Sequence, residues 1–207
     1  MKWLLLPALL MAFIAGPAFA QAAPTEVVKK TVDEVVRIVS DQELKKPQNE
    51  KKRRQALKKA IGSVFDYAEM AQRSMARHWR ERSAAEKKEF VSLFETLLEN
   101  SYSGKIEGYN QEKIVYGKET IDGEYAEVKS KVITLKRDEY SLDYRLIQKD
   151  GRWMAYDVVI EGVSLVSNYR TQFNKIIQTS SYSELVSKLR NKQDELMAED
   201  KGQKKKL

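Results

Sequence analysis

The hydrophobic pattern of the chain changes its period near Gln111, from one typical of helices to one typical of strands. Downstream of this point, apolar and polar residues alternate in short runs. Four strands are predicted, at Lys113 to Gly117, Glu124 to Leu135, Tyr140 to Leu146 and Trp153 to Ile160. The links are short, at Asp122-Gly123, Arg137-Asp138 and Asp150-Gly151. Successive strands joined so closely predict an antiparallel meander with one apolar face.

Helices are predicted on both sides of these strands. Upstream, Pro24 begins a helix with valines at helical spacing, and a basic helix is predicted over Asn49 to Val64. Capping boxes then predict helices over Met70 to Arg80 and from Ser83 to about Glu107. Downstream, Ser164 caps one helix, and Ser181 with Glu184 opens a last helix that ends near Met197. The order predicts an α+β fold, in which helices wrap one face of a curved antiparallel sheet of about four strands.

The N-terminus has the features of a secretory signal peptide over residues 1–20. Lys2 is a short basic region, Trp3 to Ala15 is apolar, and Ala18-Phe19-Ala20 is a cleavage sequence of small residues. The alternative is an uncleaved membrane anchor, which Pro7 and the cleavage sequence disfavour. We therefore expect export to the periplasm, a folded domain over residues 21–198 and a disordered basic tail over residues 199–207.

Composition excludes several kinds of chemistry. The 207 residues include no cysteine and one histidine, His78, so disulfides, thiol catalysis and His-rich metal sites are excluded. No nucleotide, phosphate-loop or hydrolase motif is present, and we expect no cofactor, no metal and no enzymatic activity. His78 is expected to cap a helix end or to pack against neighbouring side chains, rather than to act in catalysis. Asp157 and Glu161 could act as an acid/base pair, but Asp157 is expected instead to accept from backbone N–H groups at the following helix start.

The basic run Lys51-Lys52-Arg53-Arg54 has two interpretations. It could bind nucleic acid, or it could be the solvated face of a helix. The second is favoured because no aromatic residues are interleaved, and no nucleic-acid partner is predicted. No heptad pattern is visible either, so a monomer is expected.

One long segment carries a family resemblance. Residues 156–173 read YDVVIEGVSLVSNYRTQF, which resembles the signature of the MlaC, or toluene-tolerance, family of periplasmic phospholipid-binding proteins. Upstream, Phe65 to Ala71 leads into Trp79 and an apolar helix, as in that family. The resemblance covers roughly residues 25–195. It implies an NTF2-like sheet with added helices that encloses an apolar pocket, with phospholipid as cargo and no enzymatic activity.

The resemblance also implies partners and a function. The partners would be an inner-membrane ABC transporter complex with an MCE-domain hexamer and an outer-membrane lipoprotein–porin complex. The function would be to shuttle phospholipid between them and so maintain outer-membrane lipid asymmetry. Two alternatives are an NTF2-like enzyme acting on a small polar substrate and a periplasmic interaction module without lipid. Arg170 could bind the lipid phosphate or form a surface ion pair.

The expected lipid-binding residues are the apolar residues of the sheet face and of the helices that face it. From residues alone, this set could equally fill a core. Alternation predicts two faces for the third strand. The pocket face carries Tyr140, Leu142, Tyr144 and Leu146, and the other face carries Ser141, Asp143 and Arg145. The set comprises Phe65, Met70, Met75, Trp79, Phe90, Phe94, Leu97, Tyr102, Val128, Val132, Tyr140, Leu142, Tyr144, Leu146, Val158, Ile160, Val163, Tyr169 and Phe173.

Overall fold

An antiparallel sheet with strands in chain order forms one layer of the fold. The computed structural model of the chain describes residues 22–203, with side chains described for residues 22–194. The strands are β1 (Lys113–Asp122), β2 (Tyr125–Ile133), β3 (Glu139–Lys149), β4 (Arg152–Ile160) and β5 (Val163–Ser164). The two glycine-containing turns use positive φ angles at Gly123, Asp150 and Gly151, as their residues predict, and the third link has a positive φ at Arg137. The predicted meander is confirmed.

The sheet differs from the prediction at both of its edges. β1 runs five residues beyond Gly117 to Asp122, because the register shifts between Tyr116 and Glu119 and pairing with β2 then resumes. At the other edge, Glu161 and Gly162 have φ angles of 49° and 77°, which turn the chain back onto β4. The fifth strand that results pairs Val163 with Ile160. The sheet therefore has five strands rather than about four.

Four of the described helices begin directly after a residue whose side chain caps them. The helices are α1 (Pro24–Ser40), α2 (Glu50–Gly62), α3 (Tyr67–Met75), α4 (Ala84–Glu107), α5 (Leu165–Thr179) and α6 (Tyr182–Gln203), with 3₁₀ turns at Pro47–Asn49 and Ala76–Trp79. Ser83 accepts from the Glu86 N–H at 3.2 Å, and Glu86 accepts from the Ser83 N–H at 2.7 Å. Asp66 and Ser164 likewise accept from the N–H groups of Glu69 and Ser167. The α+β prediction is confirmed.

Two helices have boundaries that differ from the prediction. The helix predicted over Met70 to Arg80 begins earlier, at Tyr67, and its α-helical part ends at Met75, because Ala76 takes a φ of 47°. The last helix continues past Met197 to Gln203, so helix occupies the first part of the predicted disordered tail. The proposed signal peptide at residues 1–20 and the end of the tail, residues 204–207, lie outside the described residues.

Buried side chains form two large clusters. The first joins α3, α4, α5 and α6 and contains stacked and edge-on aromatic rings, such as Phe94 against Tyr169 with centroids 5.3 Å apart. The second joins α1 to one face of the sheet and includes Val28, Val128 and Leu146. A smaller cluster holds α1 to α2 through Ile38, Val39 and Leu57. The helical layer is thus packed as a filled core, whereas α1 and α2 extend over the sheet from one side.

The opposite face of the sheet is charged. The Lys129 ammonium lies 2.8 Å from Asp143, and the Arg145 guanidinium lies 3.3 Å from Asp157. Tyr144, between Asp143 and Arg145, belongs to the apolar cluster on the other face. The predicted alternation of β3 is confirmed for these residues.

Candidate functional site

A cavity of about 1090 Å³ lies between α1, α2, the C-terminal half of α4 and the apolar face of the sheet. Its most deeply buried lining residues are aliphatic or aromatic, such as Val28, Leu98, Tyr144 and Val158. Its charged lining residues lie on α2, on the last turns of α4 and on the segment that follows α4. Because several of these charged side chains are exposed, they mark where the cavity meets solvent. The cavity is therefore apolar inside and charged at its opening.

Helix α1 closes one side of the cavity and is fixed to the sheet at its first turn. The backbone N–H and the hydroxyl of Thr25 both donate to the Glu119 carboxylate of β1, at 2.8 and 2.5 Å. Val28, one turn on, is buried against the sheet, and Val32, Val35 and Val36 then line the cavity. The valine spacing that predicts a helix also places these side chains on the cavity side.

Ion pairs join α2 to α4 on the charged side of the cavity. The Arg53 guanidinium of α2 lies 2.6 Å from Glu107 of α4, and both side chains are largely buried. Lys58 lies 2.9 Å from Glu95 and 2.7 Å from Glu99. Burial alone would lower the pKa of Lys58, but its hydrogen bonds to Glu99 and Glu95 outweigh burial and raise it. Part of the basic run therefore pairs within the molecule, in addition to facing solvent.

Apart from Glu99, which pairs with Lys58, the ionisable groups in the cavity interior are tyrosines. Burial raises the pKa of Tyr144 and of Tyr67, both of which line the cavity. Beside them, burial and the Asp33 charge raise the pKa of Tyr116 to about 12. These phenols are uncharged at neutral pH, so the interior suits a guest without charge, such as a hydrocarbon chain.

Nine of the predicted lipid-binding residues line this cavity. Three come from the helical half of the chain or its links, and the sheet supplies the other six from three adjacent strands. The nine are Phe65, Met70, Tyr102, Val132, Tyr140, Leu142, Tyr144, Val158 and Ile160.

The other ten predicted residues do not line the cavity. Met75, Phe90, Phe94, Tyr169 and Phe173 are buried in the helical core, and Trp79 and Leu97 pack against it. Val128 and Leu146 are fully buried between α1 and the sheet, and Val163 is 57% exposed on β5. The predicted residues Phe90, Phe94 and Leu97 miss the cavity because the N-terminal half of α4 faces α5 and α6. Only the later residues of α4 reach the cavity, and its apolar lining residues Leu98, Tyr102 and Ile106 follow one another at intervals of four positions.

The first two helices contribute to the cavity, which the sequence did not predict. Val28, Val32, Val35 and Val36 of α1 line it, together with Leu57 and Ile61 of α2. Their helical spacing was visible in the sequence, but it could not show that these helices lie over the apolar face of the sheet.

The polar candidates lie outside the cavity lining. Asp157 accepts from the Val166 N–H at 3.0 Å and from the Ser164 hydroxyl at 2.6 Å, which is the predicted role at a helix start. The Arg170 guanidinium donates to the carbonyl of Arg73 at 2.9 Å. His78 lies 3.1 Å from the Asn174 side chain, consistent with a packing role.

Within residues 22–203, no three His, Asp or Glu residues are grouped so that they could hold a metal ion. Over the same residues, no helix combines the length and the apolar character that crossing a membrane requires.

Comparisons with known proteins agree on one family. A sequence model of the family described as MlaC protein matches residues 29–191. The intermembrane phospholipid transport system binding protein MlaC of Haemophilus influenzae is 22% identical over 195 residues, which cover 91% of each chain.

Two solved structures match part or most of the chain. One, with a TM-score of 0.77 and 26% identity, is a phospholipid-binding protein from Ralstonia solanacearum in complex with a phospholipid; the match covers 85% of this chain and 99% of that one. A putative NTF2-like transpeptidase from Campylobacter jejuni matches with a TM-score of 0.38 and 19% identity, over 65% of this chain and 97% of that one. Since the family model spans well over half of the 207 residues, the chain belongs to the MlaC family.

Proposed function

We propose that the chain binds a phospholipid in the cavity between α1, α2, α4 and the sheet, and carries it between membranes. The observation that carries this proposal is the division of the cavity into an apolar interior and a charged opening. A phospholipid has the same division, between its acyl chains and its head group. The phospholipid bound to the similar Ralstonia solanacearum protein supports the same cargo.

The size of the cavity suits the acyl chains of a two-tailed lipid. At about 30 Å³ for each water-sized group, a volume of about 1090 Å³ holds roughly 35 such groups. A methylene group is of similar size, and two long acyl chains contain about 30 of them. At about 0.8 kcal/mol per methylene, their transfer to water costs roughly 24 kcal/mol, so a carrier needs an apolar cavity of about this capacity.

Release requires that the cavity bind the chains about as well as a bilayer does, and not much better. A carrier with a large excess of affinity would retain its lipid after docking on an acceptor. Apart from the carboxylate of Glu99, which pairs with Lys58, the described interior offers aliphatic and aromatic contacts, so tail burial supplies most of the affinity. Transfer can then proceed close to equilibrium in either direction.

The compartment and partners of this carrier are part of the same proposal. The Haemophilus influenzae relative is named as the binding protein of an intermembrane phospholipid transport system, and residues 1–20 resemble a signal peptide. Both support action in the periplasm, between an inner-membrane MCE-domain ABC transporter and an outer-membrane lipoprotein–porin complex. There the protein would maintain outer-membrane lipid asymmetry, as a carrier without catalysis.

The direct test is to identify what the exported protein carries. The protein would be purified from periplasm without detergent and examined by native mass spectrometry. We expect about one phospholipid per chain, held through gentle desalting. A protein without lipid but with a salt-sensitive protein partner would instead favour an interaction module, and turnover of a small polar molecule would favour an enzyme.

A further inference from the structure

Two lysines at the opening of the cavity differ from the other cations there. Arg54 lies 3.1 Å from Glu50, and Lys58 is shared by Glu95 and Glu99. Lys51 and Lys105 also line the cavity, yet neither has a carboxylate partner among the described residues. The opening thus holds two ammonium groups that form no ion pair with the residues that the structure describes.

The fold holds these lysines on adjacent helix ends. Lys51 lies in the first turn of α2 and Lys105 in the last turn of α4. The Arg53–Glu107 ion pair, at 2.6 Å, joins those same two turns. The Lys105 ammonium lies 5.4 Å from the centroid of the Tyr102 ring, which itself lines the cavity. The two ammonium groups therefore face the same opening, next to the apolar lining.

We propose that Lys51 and Lys105 form a phosphate-binding pair for the head group of the bound phospholipid. This rests on the proposed function, because the acyl chains anchor the molecule in the cavity. A guest with its tails inside must leave its phosphodiester at the opening, where Lys51 and Lys105 can donate charge-assisted hydrogen bonds to its oxygens. The pair then fixes the direction in which the lipid lies and selects phospholipids over neutral lipids with the same tails.

The test compares two lipids that differ in the phosphate group. The mature protein would be equilibrated with vesicles that contain equimolar phosphatidylglycerol and diacylglycerol with identical acyl chains, then reisolated. Mass spectrometry would give the ratio of the two bound lipids. We expect Lys51→Gln/Lys105→Gln to lower the preference of the wild type for phosphatidylglycerol by about 3- to 10-fold, with diacylglycerol still bound.

The matched control removes two other lysines of α2. Lys52 and Lys59 are exposed and do not line the cavity, so Lys52→Gln/Lys59→Gln changes the net charge equally and should keep the preference of the wild type. Equal preferences in all three proteins would overturn the phosphate pair but leave the carrier function standing. A wild type that takes up neither lipid would overturn both proposals.

A second arm separates a lipid phosphate from free phosphate. Inorganic phosphate would be titrated into the wild type at constant ionic strength and followed by NMR of the lysine side chains. We expect no saturable binding at micromolar concentration, because two exposed lysines without anchored tails bind a phosphate weakly. Saturable micromolar binding lost in Lys51→Gln/Lys105→Gln would overturn the assignment to a lipid head group.

Discussion

At the scale of single residues, the two sides of β3 differ in what a side chain can contact. Leu142 and Tyr144 line the apolar cavity. Asp143, between them, accepts from the Lys129 ammonium at 2.8 Å and from the Ser130 N–H at 3.1 Å. A charge is stabilised at position 143 by these partners, whereas a charge at position 142 would face hydrocarbon.

The substitution Leu142→Arg should therefore remove bound lipid. Its guanidinium would lie against acyl chains that cannot solvate it, and we expect the phospholipid bound per chain to fall by at least about tenfold. Circular dichroism would verify folding, and mass spectrometry would measure the lipid. Val115→Arg is the control, because Val115 is a partly exposed strand residue that does not line the cavity. Lipid retained by folded Leu142→Arg but lost by Val115→Arg would show that the acyl chains lie elsewhere.

The hydroxyl of Tyr116 is buried without a hydrogen-bond partner in the described structure. Such a group costs about 1–3 kcal/mol, so Tyr116→Phe should raise the free energy of unfolding by about 1 kcal/mol. Tyr109 is the matched control, because its hydroxyl donates to the Glu112 carbonyl at 3.0 Å. Tyr109→Phe should lower stability by about 1 kcal/mol. Urea unfolding of both variants measures the difference, and equal shifts would contradict the assignment of an unpaired hydroxyl.

The same tyrosine should make stability depend on alkaline pH. The pKa of Tyr116 is raised to about 12 in the folded protein, above the value near 10 in an unfolded chain. The folded protein therefore holds the phenol proton more tightly than the unfolded chain does. The stability that this difference supplies is fully present below about pH 10 and is lost as the pH rises toward 12. Unfolding free energies of the wild type should thus decline across this window, and those of Tyr116→Phe should decline less. Equal declines for the wild type and Tyr116→Phe would indicate that the pKa of Tyr116 is not raised in the folded protein.

At the scale of elements, the contact between α2 and α4 depends strongly on charge. Arg53 and Arg54 approach Glu107, and Lys58 approaches Glu95 and Glu99. The single fully buried residue of α2 is Leu57, which packs toward α1. The ion pairs therefore hold α2 beside the cavity opening, where a bound guest enters or leaves.

Breaking one pair should speed lipid exchange. Arg53→Gln leaves Glu107 partly buried without its closest cation, and we expect lipid transfer between vesicles to become about 5- to 10-fold faster. Arg37→Gln is the control, since the Arg37–Glu34 pair lies on α1 with both side chains well exposed. Fluorescent-lipid transfer at several salt concentrations would measure both variants. Equal rates for Arg53→Gln and the wild type would mean that α2 does not limit exchange.

Local signals in the sequence predicted most elements but not how they meet. Capping residues such as Ser83 and Ser164 mark helix starts because the hydrogen bonds involved span only three residues. The fifth strand was missed because it spans two residues and depends on the turn at Glu161 and Gly162. The ion pairs of the basic run were missed because Arg53 and Glu107 are distant in sequence. Such contacts depend on tertiary packing.

At the scale of the whole molecule, the helical half and the sheet half are packed differently. Phe90, Phe94 and Phe173 are buried together in the helical core, with ring centroids 5.6–6.1 Å apart. The sheet and α1, in contrast, enclose a cavity of about 1090 Å³. The sequence supplied apolar residues to both regions, and periodicity alone could not separate a filled core from a cavity.

The two regions should therefore respond in opposite ways to changes in side-chain volume. Phe90→Ala removes a ring from a filled core and should lower the free energy of unfolding by about 3–5 kcal/mol, with the lipid bound per folded chain unchanged. Val35→Trp adds a ring inside the cavity, where Val35 is only partly buried. It should change stability by less than about 1 kcal/mol, because space already exists, but should lower the amount of two-tailed lipid bound.

Urea unfolding and lipid quantification of both variants make this comparison, and Val163→Trp on exposed β5 is the control for an added indole. Val163→Trp should change neither stability nor lipid content, because its side chain faces solvent. A strong loss of stability in Val35→Trp, similar to overpacking of a core, would mean that α1 and the sheet close on each other when lipid is absent. Full lipid content in folded Val35→Trp would place the acyl chains away from α1. The expected result, lipid loss with stability retained, requires space that the fold keeps open for a guest.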